Sequence, residues 1–293
     1  MIALLTAAGT GGAWDVTAGQ YPAQSGAYFA DPMWVAREQC FGRGEGSNIV
    51  WQGIGYPAAV FPMRPSVLKG WEETVRLLSL ILTEHPDWYF VLDGYSQGAL
   101  VVCLVWQHEI LNPTGRLHKF LNRCLGVIAY GNPMRAPGIA YGNTVIWGRP
   151  VPGKEDGEVT GGIAGPANLR PEECVFPKGH PLAGQPAVYD FALLGDLYAA
   201  APVGSDPWEH PTRVGENETL IYEAVMDFNG GDILAFARKI FKLATLNWLE
   251  FWAVFQAIFN GIKFLGAGMN APHWQYDSRP VTAWLERLGK EYA

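Results

Sequence analysis

The sequence has little charge and few cysteines. Only 17% of its 293 residues are charged, the formal net charge is −7, and no block of basic residues occurs. Proteins that bind polyanions concentrate lysine and arginine on one surface, so this composition argues against a nucleic-acid partner. The four cysteines lie far apart and form no CxxC pair, which argues against a disulfide framework or a zinc site. We therefore expect reduced thiols and no metal ion.

The N-terminus also lacks a recognisable export signal. The opening stretch, "MIALLTAAGTGG", carries no basic side chain, and its apolar run is shorter than the hydrophobic segment of a secretory signal peptide. It predicts instead a first strand that runs into a glycine turn, with no binding module before it. If the protein acts outside the cytoplasm in which it is made, we expect it to leave by another route.

Apolar residues, by contrast, are plentiful, and they are arranged in alternating strand-like and helix-like segments. At 49% apolar residues, the chain can bury a sizeable core. Alternation of this kind builds right-handed βαβ units, so we predict an α/β fold with a central, mostly parallel sheet flanked by helices. Strands are predicted at 2–7, 48–57, 88–93, 124–130 and 187–196, and helices at 66–84 and 97–111.

The later part of the chain predicts an insertion in this fold. Residues 232–266 are rich in aromatics and have helical spacing. Within them, the apolar stretch 243–262 is interrupted by polar side chains and flanked by lysines, which argues against a membrane span. We predict short amphipathic helices over the catalytic end of the sheet, with aromatics divided between core and a lipid-facing wall. The segments are an α/β core at 1–206, a helical insertion or lid at 207–268, and a return to the core at 269–293. The aromatics concerned are Trp248, Phe251, Trp252 and Phe255.

The stretch "DGYSQGA", at 93–99, has the chemistry of a nucleophile elbow. A predicted strand ends immediately before it and a helical pattern begins immediately after it, which is the order that a G-x-S-x-G elbow requires. A steric reason explains why Gly94 and Gly98 are glycines: the strand and the helix approach each other too closely at these two positions to leave room for side chains. An ordinary turn is the alternative. The context favours Ser96 as a catalytic nucleophile.

A serine hydroxyl needs a base and a group that orients the base. In α/β-hydrolases these follow the serine in the order acid, then histidine. His273 is the only histidine late in the chain, on a loop before the last helix. Asp196 follows the last predicted strand directly, at the end of the sheet where ligands bind, whereas Asp190 is predicted near the start of that strand. We therefore predict a triad of Ser96, Asp196 and His273.

The transition state of ester hydrolysis also needs donors for its oxyanion. The backbone N–H of the residue after the nucleophile supplies one, which here is Gln97. The loop after the first strand, "AAGTGG", is predicted to supply the second, and Thr10 is our candidate. This chemistry requires no cofactor.

Six motifs, taken in order, resemble the lysin B proteins of phages that infect mycobacteria, which are similar in turn to cutinases. The resemblance covers essentially the whole chain and implies a cutinase-like α/β-hydrolase whose serine, acid and histidine fall on Ser96, Asp196 and His273. It implies an esterase that cuts the ester bond between mycolic acids and arabinogalactan, acting on the host envelope at lysis. The motifs are "AGTGG", "GYPA", "DGYSQGA", "AYGNPMR", "GDLYA" and "PHWQY".

Two other functions use the same residues. A general cutinase-like lipase or carboxylesterase would carry the same triad, and a degenerate hydrolase could bind cell-wall lipid without cleaving it. The insertion and the missing signal peptide favour the lysin B reading. The expected partner is then a mycolic-acid ester, with peripheral lipid contact but no span across the membrane, and we expect a monomer.

Overall fold

A parallel five-stranded sheet forms the centre of the protein. The computed structural model describes residues 1–10, 48–263 and 272–292. The strand order is β2-β1-β3-β4-β5, and every pairing is parallel. This confirms the predicted α/β architecture. The strands are β1 (Ile2–Ala7), β2 (Ile49–Gly53), β3 (Tyr89–Tyr95), β4 (Cys124–Tyr130) and β5 (Val188–Phe191).

Helices cover the sheet, and two of them were predicted closely from the spacing of apolar residues. The first helix begins three residues before its predicted start and ends where predicted, and the second follows Ser96 directly. After Val105 the second helix continues as a π-helical stretch, Trp106–Leu111. The helices are α1 (Met63–Glu84), α2 (Gln97–Val105), α3 (Arg213–Met226), α4 (Ile233–Phe241), α5 (Trp248–Lys263) and α6 (Arg279–Glu291).

Two strands are shorter than the sequence predicts. The second strand was expected to reach Pro57 but ends at Gly53, and the last was expected to reach Asp196 but ends at Phe191. The cause is the same in both. Within the described part of the chain, β2 pairs only with β1, up to Thr6 opposite Gly53, and β5 pairs only with β4, up to Tyr130 opposite Phe191. A strand at the edge of a sheet ends where its single neighbour ends.

The order of the strands places a crevice between β1 and β3. The chain leaves β1 toward one side of the sheet and β3 toward the other, which makes this the switch point of an open α/β sheet, where ligands bind. The three described cysteines, Cys103, Cys124 and Cys174, are buried free thiols, as predicted. Cys40 lies outside the described residues.

Helices α3, α4 and α5 lie within the predicted insertion. The hydroxyl of Thr212 caps the start of α3, and the carboxylate of Asp232 caps the start of α4. The Thr219 hydroxyl joins α3 to the core through the carbonyl oxygen of Ile163, at 3.0 Å. Among the described residues, no helix is both long and apolar enough to cross a membrane. The predicted boundary at 268–269 lies outside the described residues, and the division into segments stays a prediction.

Candidate active site

Ser96 occupies the sharp turn between β3 and α2. Its backbone lies at φ 55° and ψ −114°. A residue other than glycine adopts this conformation only when its surroundings enforce it. The Ser96 N–H donates to the carbonyl oxygen of Tyr130 at 2.8 Å, and its own carbonyl accepts from the N–H of Leu100 at 3.1 Å. The strand and helix thus fix this backbone from both sides, and the serine side chain is half-buried at the crevice.

The two glycines that flank the serine are required by close backbone contacts. A Cβ on Gly94 would lie 2.4 Å from the carbonyl oxygen of Gly98. A Cβ on Gly98 would lie 1.9 Å from the carbonyl oxygen of Ala7, at the end of β1. Both distances are well below van der Waals contact. The steric reason given from the sequence therefore agrees with the structure.

His273 joins Ser96 to Asp196. Its Nε2 lies 2.9 Å from the Ser96 Oγ, and its Nδ1 lies 2.8 Å from the Asp196 Oδ2. An ionised carboxylate can only accept, so Nδ1 carries the proton and Nε2 of the neutral ring is left to accept from the serine hydroxyl. The histidine is 6% exposed and the aspartate 2%. The structure thus brings the three predicted residues together in the geometry of a nucleophile, a base and an orienting acid.

The Asp196 carboxylate is buried but well supplied with hydrogen bonds. Burial alone would raise its pKa, but His273, the Tyr276 hydroxyl and the Tyr198 N–H outweigh this effect and hold the pKa below its usual value. The Tyr198 N–H donates to Oδ1 at 3.0 Å, and the Tyr276 hydroxyl donates to Oδ2. Burial, together with the neighbouring Asp196, raises the pKa of Tyr276 well above its ordinary value. This phenol therefore stays protonated as a donor, and the aspartate stays ionised.

Asp190 bonds a residue other than the histidine, and its position in the strand differs from the one predicted from the sequence. We placed it near the start of a long strand, whereas it is the third residue of the four-residue β5. Its Oδ1 accepts from the Asn132 amide at 2.7 Å, away from the triad. Burial raises the pKa of Asp190 to about 6.

Three further residues shape the site, and the sequence analysis gave none of them a role. The Tyr95 hydroxyl donates to the carbonyl oxygen of His273 at 2.7 Å, and Tyr276 supports the acid. Gly131 has φ +58°, and a Cβ there would lie 2.7 Å from the His273 Cε1. Each of these residues belongs to a motif quoted above. The sequence therefore contained these residues within recognisable motifs, but no rule of spacing linked them to a role in the site.

The predicted oxyanion residues lie beside the serine. Thr10 and Gln97 are buried and line the same small cavity as Ser96. The Gln97 side-chain amide donates to the Thr10 hydroxyl at 3.2 Å and to the carbonyl oxygen of Ala59 at 3.0 Å, and its Oε1 accepts from the Ser66 hydroxyl at 2.9 Å. The glutamine side chain thus ties the loop after β1 to the elbow. Gly11 and Gly12 of that loop lie outside the described residues.

The insertion reaches the site through α3. Tyr222 of α3 lines the cavity beside Ser96, whereas the four aromatics singled out from the sequence, which all lie in α5, are not among its lining residues. Phe251 and Phe255 are buried, with ring centroids 5.3 Å from Phe241 and 6.1 Å from Phe236 respectively. Trp248 and Trp252 are half-buried. Two of these aromatics are thus buried and two half-buried, and none of the four lines the cavity beside Ser96. Their place over the catalytic end of the sheet, with a lipid-facing wall, stays a prediction.

Comparisons with known proteins agree with this geometry. A family model described as Cutinase matches residues 13–152. Endolysin B of Mycobacterium phage L5 is 36% identical over 241 residues, which cover 81% of this chain and 86% of that protein, and endolysin B of Mycobacterium phage D29 is 34% identical over the same shares. The crystal structure of lysin B from mycobacteriophage D29 superposes with a TM-score of 0.62 at 31% identity, covering 97% of this chain and 98% of that one.

The fold, the site and these relatives define a cutinase-like α/β-hydrolase of the esterase class. Within that class, the chain belongs to the mycobacteriophage-type lysin B family.

Proposed function

We propose that this protein is a serine esterase that hydrolyses the ester bond between mycolic acids and arabinogalactan in the host envelope during phage lysis. The observation that supports this most is the chain of hydrogen bonds from Asp196 through His273 to Ser96, with heavy-atom distances of 2.8 and 2.9 Å. The endolysin B relatives support the setting of phage lysis.

The proposed first half-reaction acylates the serine. His273 Nε2 takes the proton from the Ser96 hydroxyl as its oxygen attacks the ester carbonyl carbon, and Asp196 stabilises the imidazolium that forms. The backbone N–H groups of Gln97 and Thr10 are proposed to receive the oxyanion. When the tetrahedral intermediate collapses, the C–O bond to the sugar breaks, and His273 returns the proton to the departing sugar oxygen.

The second half-reaction releases the acid. His273 takes a proton from a water molecule, whose oxygen attacks the acyl-enzyme carbonyl, and the collapse of that intermediate returns the proton to Ser96. The net reaction consumes one water molecule and yields a free mycolic acid and a sugar hydroxyl.

Exposed apolar side chains beside the triad support contact with lipid. Leu194, two residues before the acid, is 60% exposed, and Trp274, directly after the base, is 37% exposed. An ester within a mycolate layer must be approached from a surface that tolerates hydrocarbon, and side chains on the rim of the crevice would serve that purpose.

The test is to treat isolated mycolyl-arabinogalactan with the enzyme and to analyse the released lipid by mass spectrometry. The wild-type protein should release free mycolic acids. Ser96→Ala should reduce the rate by roughly a thousandfold to a millionfold with the fold unchanged, because the members of a triad act as a unit. His273→Ala should be nearly as inactive, and the double variant little worse. Release at the wild-type rate by Ser96→Ala would refute the assignment of the nucleophile.

A general lipase or carboxylesterase is the second candidate, because the matched family model is that of cutinase. A triglyceride assayed beside the cell-wall ester separates the two. Comparable kcat/KM on both substrates would favour the second candidate, whereas activity confined to the cell-wall ester would favour the first. A protein that binds these lipids but cleaves neither them nor a short p-nitrophenyl ester would be the binding module considered above.

A further inference from the structure

A larger cavity lies next to the one that holds the nucleophile. It has a volume of about 220 Å³ and is enclosed by α1, α2, α3 and the loops that follow β4. Leu100 and Tyr222 line both cavities, so the two lie next to each other at these side chains. An apolar cavity of about 150 Å³ is enough to bind benzene. This one therefore has room for a longer piece of hydrocarbon.

Apolar side chains dominate the wall of this cavity. Helix α1 supplies Val67 and Trp71, α2 supplies Leu104, and α3 supplies Met226. Such a lining favours a guest with many methylene groups and gives little to a sugar or an ion.

The charged residues of the cavity are already paired with each other. Arg64 of α1 donates to Glu223 of α3 and, at 2.6 Å, to the Asp227 Oδ1 just beyond that helix. Arg64 and Glu223 both line the cavity, and their side chains are 42% and 41% exposed. Because the two charges that line the cavity, on Arg64 and Glu223, are paired with each other, the cavity offers no unpaired charge to a charged guest. The ion pairs also hold α3 against α1, across the cavity.

One polar group beside both cavities, the Tyr222 hydroxyl, has no hydrogen-bond partner among the described residues. The Tyr222 side chain is 3% exposed, and its hydroxyl makes no hydrogen bond with any residue in the described part of the chain. A buried hydroxyl without a partner is costly, so a structure that keeps one often uses it toward a ligand. If an ester substrate placed its carbonyl carbon at Ser96 and its acyl chain in the larger cavity, an oxygen on the acyl chain close to the ester would lie near Tyr222.

We propose that the cavity between α1, α2 and α3 binds an alkyl chain of the acyl group, and that the Tyr222 hydroxyl binds a hydroxyl on carbon 3 of that group. This inference rests on the proposed function, since a mycolic acid is a 2-alkyl-3-hydroxy fatty acid. Tyr222 lies between the serine that attacks carbon 1 and the cavity that takes the chain. The cavity thus binds the alkyl chain, and the tyrosine recognises the hydroxyl on carbon 3.

The test measures binding of dodecanoate and 3-hydroxydodecanoate by calorimetry, which does not depend on turnover. Ala167 lines the cavity and is exposed, so Ala167→Phe fills the space from the surface. It should weaken dodecanoate binding at least tenfold, since each methylene removed from water is worth about fourfold in affinity. Ala183→Phe is the matched control, because Ala183 is also exposed but does not line the cavity. Equal binding by all three proteins, or equal weakening by both variants, would overturn the proposal.

A second variant tests the tyrosine. The wild-type protein should bind 3-hydroxydodecanoate roughly three- to tenfold more tightly than dodecanoate, the range expected for one hydrogen bond. Tyr222→Phe should abolish this difference and leave the melting temperature unchanged or higher, because the hydroxyl has no partner to lose. A preference that persists in Tyr222→Phe would overturn the role of the tyrosine.

The same measurements separate this inference from the proposed function. If Ala167→Phe weakens binding while the wild-type protein releases no mycolic acid from cell walls, the cavity stands and the substrate is wrong. If mycolic acid is released but neither variant alters binding, the substrate stands and the cavity assignment fails.

Discussion

Ser96 is held by the backbone on either side of it, whereas His273 is held by side chains from distant parts of the chain. Five consecutive residues, from Gly94 to Gly98, form the elbow, and the backbone of Gly98 and Ser96 contacts the ends of β1 and β4 respectively. The histidine depends instead on Tyr95, Asp196 and the space left by Gly131. The position of the nucleophile is thus set mainly by neighbouring residues in the sequence. The positions of the acid and the base are set only when distant parts of the chain have folded together.

After the loss of Ser96 or His273 itself, the largest effect should come from the acid, because it sets the tautomer of the base. Asp196→Asn places an amide where the carboxylate accepts from the His273 Nδ1–H, which favours the wrong tautomer, and kcat should fall by about 10⁴-fold. Steady-state kinetics on a short p-nitrophenyl ester measures this. Asp190→Asn is the matched control, since that carboxylate bonds to Asn132, and it should keep most of its activity. A greater loss in the control would assign the acid to Asp190.

A smaller loss of activity is expected from a substitution in the elbow that displaces the backbone and leaves the three triad side chains in place. Gly98→Ala forces a methyl group to within 1.9 Å of the Ala7 carbonyl oxygen unless strand and helix separate. We expect a loss of roughly 3 kcal/mol or more in the free energy of unfolding and about a hundredfold in kcat, because small displacements of a nucleophile are costly. Denaturant titration and kinetics measure both.

The control for that variant is another glycine with room for a methyl group. In Gly289→Ala, within α6, the new Cβ would lie 3.4 Å from the Ile49 Cγ1, which is ordinary contact. This change should be neutral or stabilise by up to about 1 kcal/mol, as alanine does in a helix. If the two variants behaved alike, the close packing of β1 against the elbow would not matter.

The smallest effect should come from Tyr276→Phe, which removes one hydrogen bond from Asp196. We expect about a tenfold loss in kcat/KM and a rise in the pKa of Asp196 toward its ordinary value of about 3.9. Because that pKa is depressed in the wild-type protein, the carboxylate adds stability above about pH 4, and this contribution is lost as the pH falls through the lowered pKa. In the variant the contribution is smaller, and its loss is complete at a higher pH, because the folded-state pKa is higher while the unfolded-state pKa is unchanged.

Melting temperatures between about pH 3 and pH 7 would reveal this shift. Tyr189→Phe is the matched control, since Tyr189 is also buried but packs against Trp284, with ring centroids 4.9 Å apart. Identical acid profiles for the two variants would show that Tyr276 does not support the acid.

The same contrast explains what could be predicted from the sequence. Ser96 was identifiable because an elbow needs only a strand, two glycines and a helix in the right order. Asp196 and His273 followed from the order of triad residues and from their place after the strands, and the resemblance to a family pointed to the same positions. The length of β5 was mistaken because its end is set by Tyr130 of the neighbouring strand.

The roles of Tyr276 and Tyr222 could not be predicted for a related reason. Nothing in the local sequence says that Tyr276 reaches the acid 80 residues before it. Likewise, nothing local to α3 says that Tyr222 adjoins the nucleophile rather than solvent. The aromatic content of the insertion drew attention to α5, whereas the residue that lines the nucleophile cavity comes from α3, which has fewer aromatics.

The distance along the chain between the serine and its base has a consequence for biosynthesis. Ser96 and His273 are 177 residues apart, and parallel strands pair only after long stretches of chain have closed, which makes such folds slow to complete. A nascent chain that has emerged as far as α5 holds the proposed nucleophile and acid but no base. Hydrolytic activity therefore reports on the folding of residues translated well after the elbow, and a chain truncated before His273 would carry a nucleophile without its base.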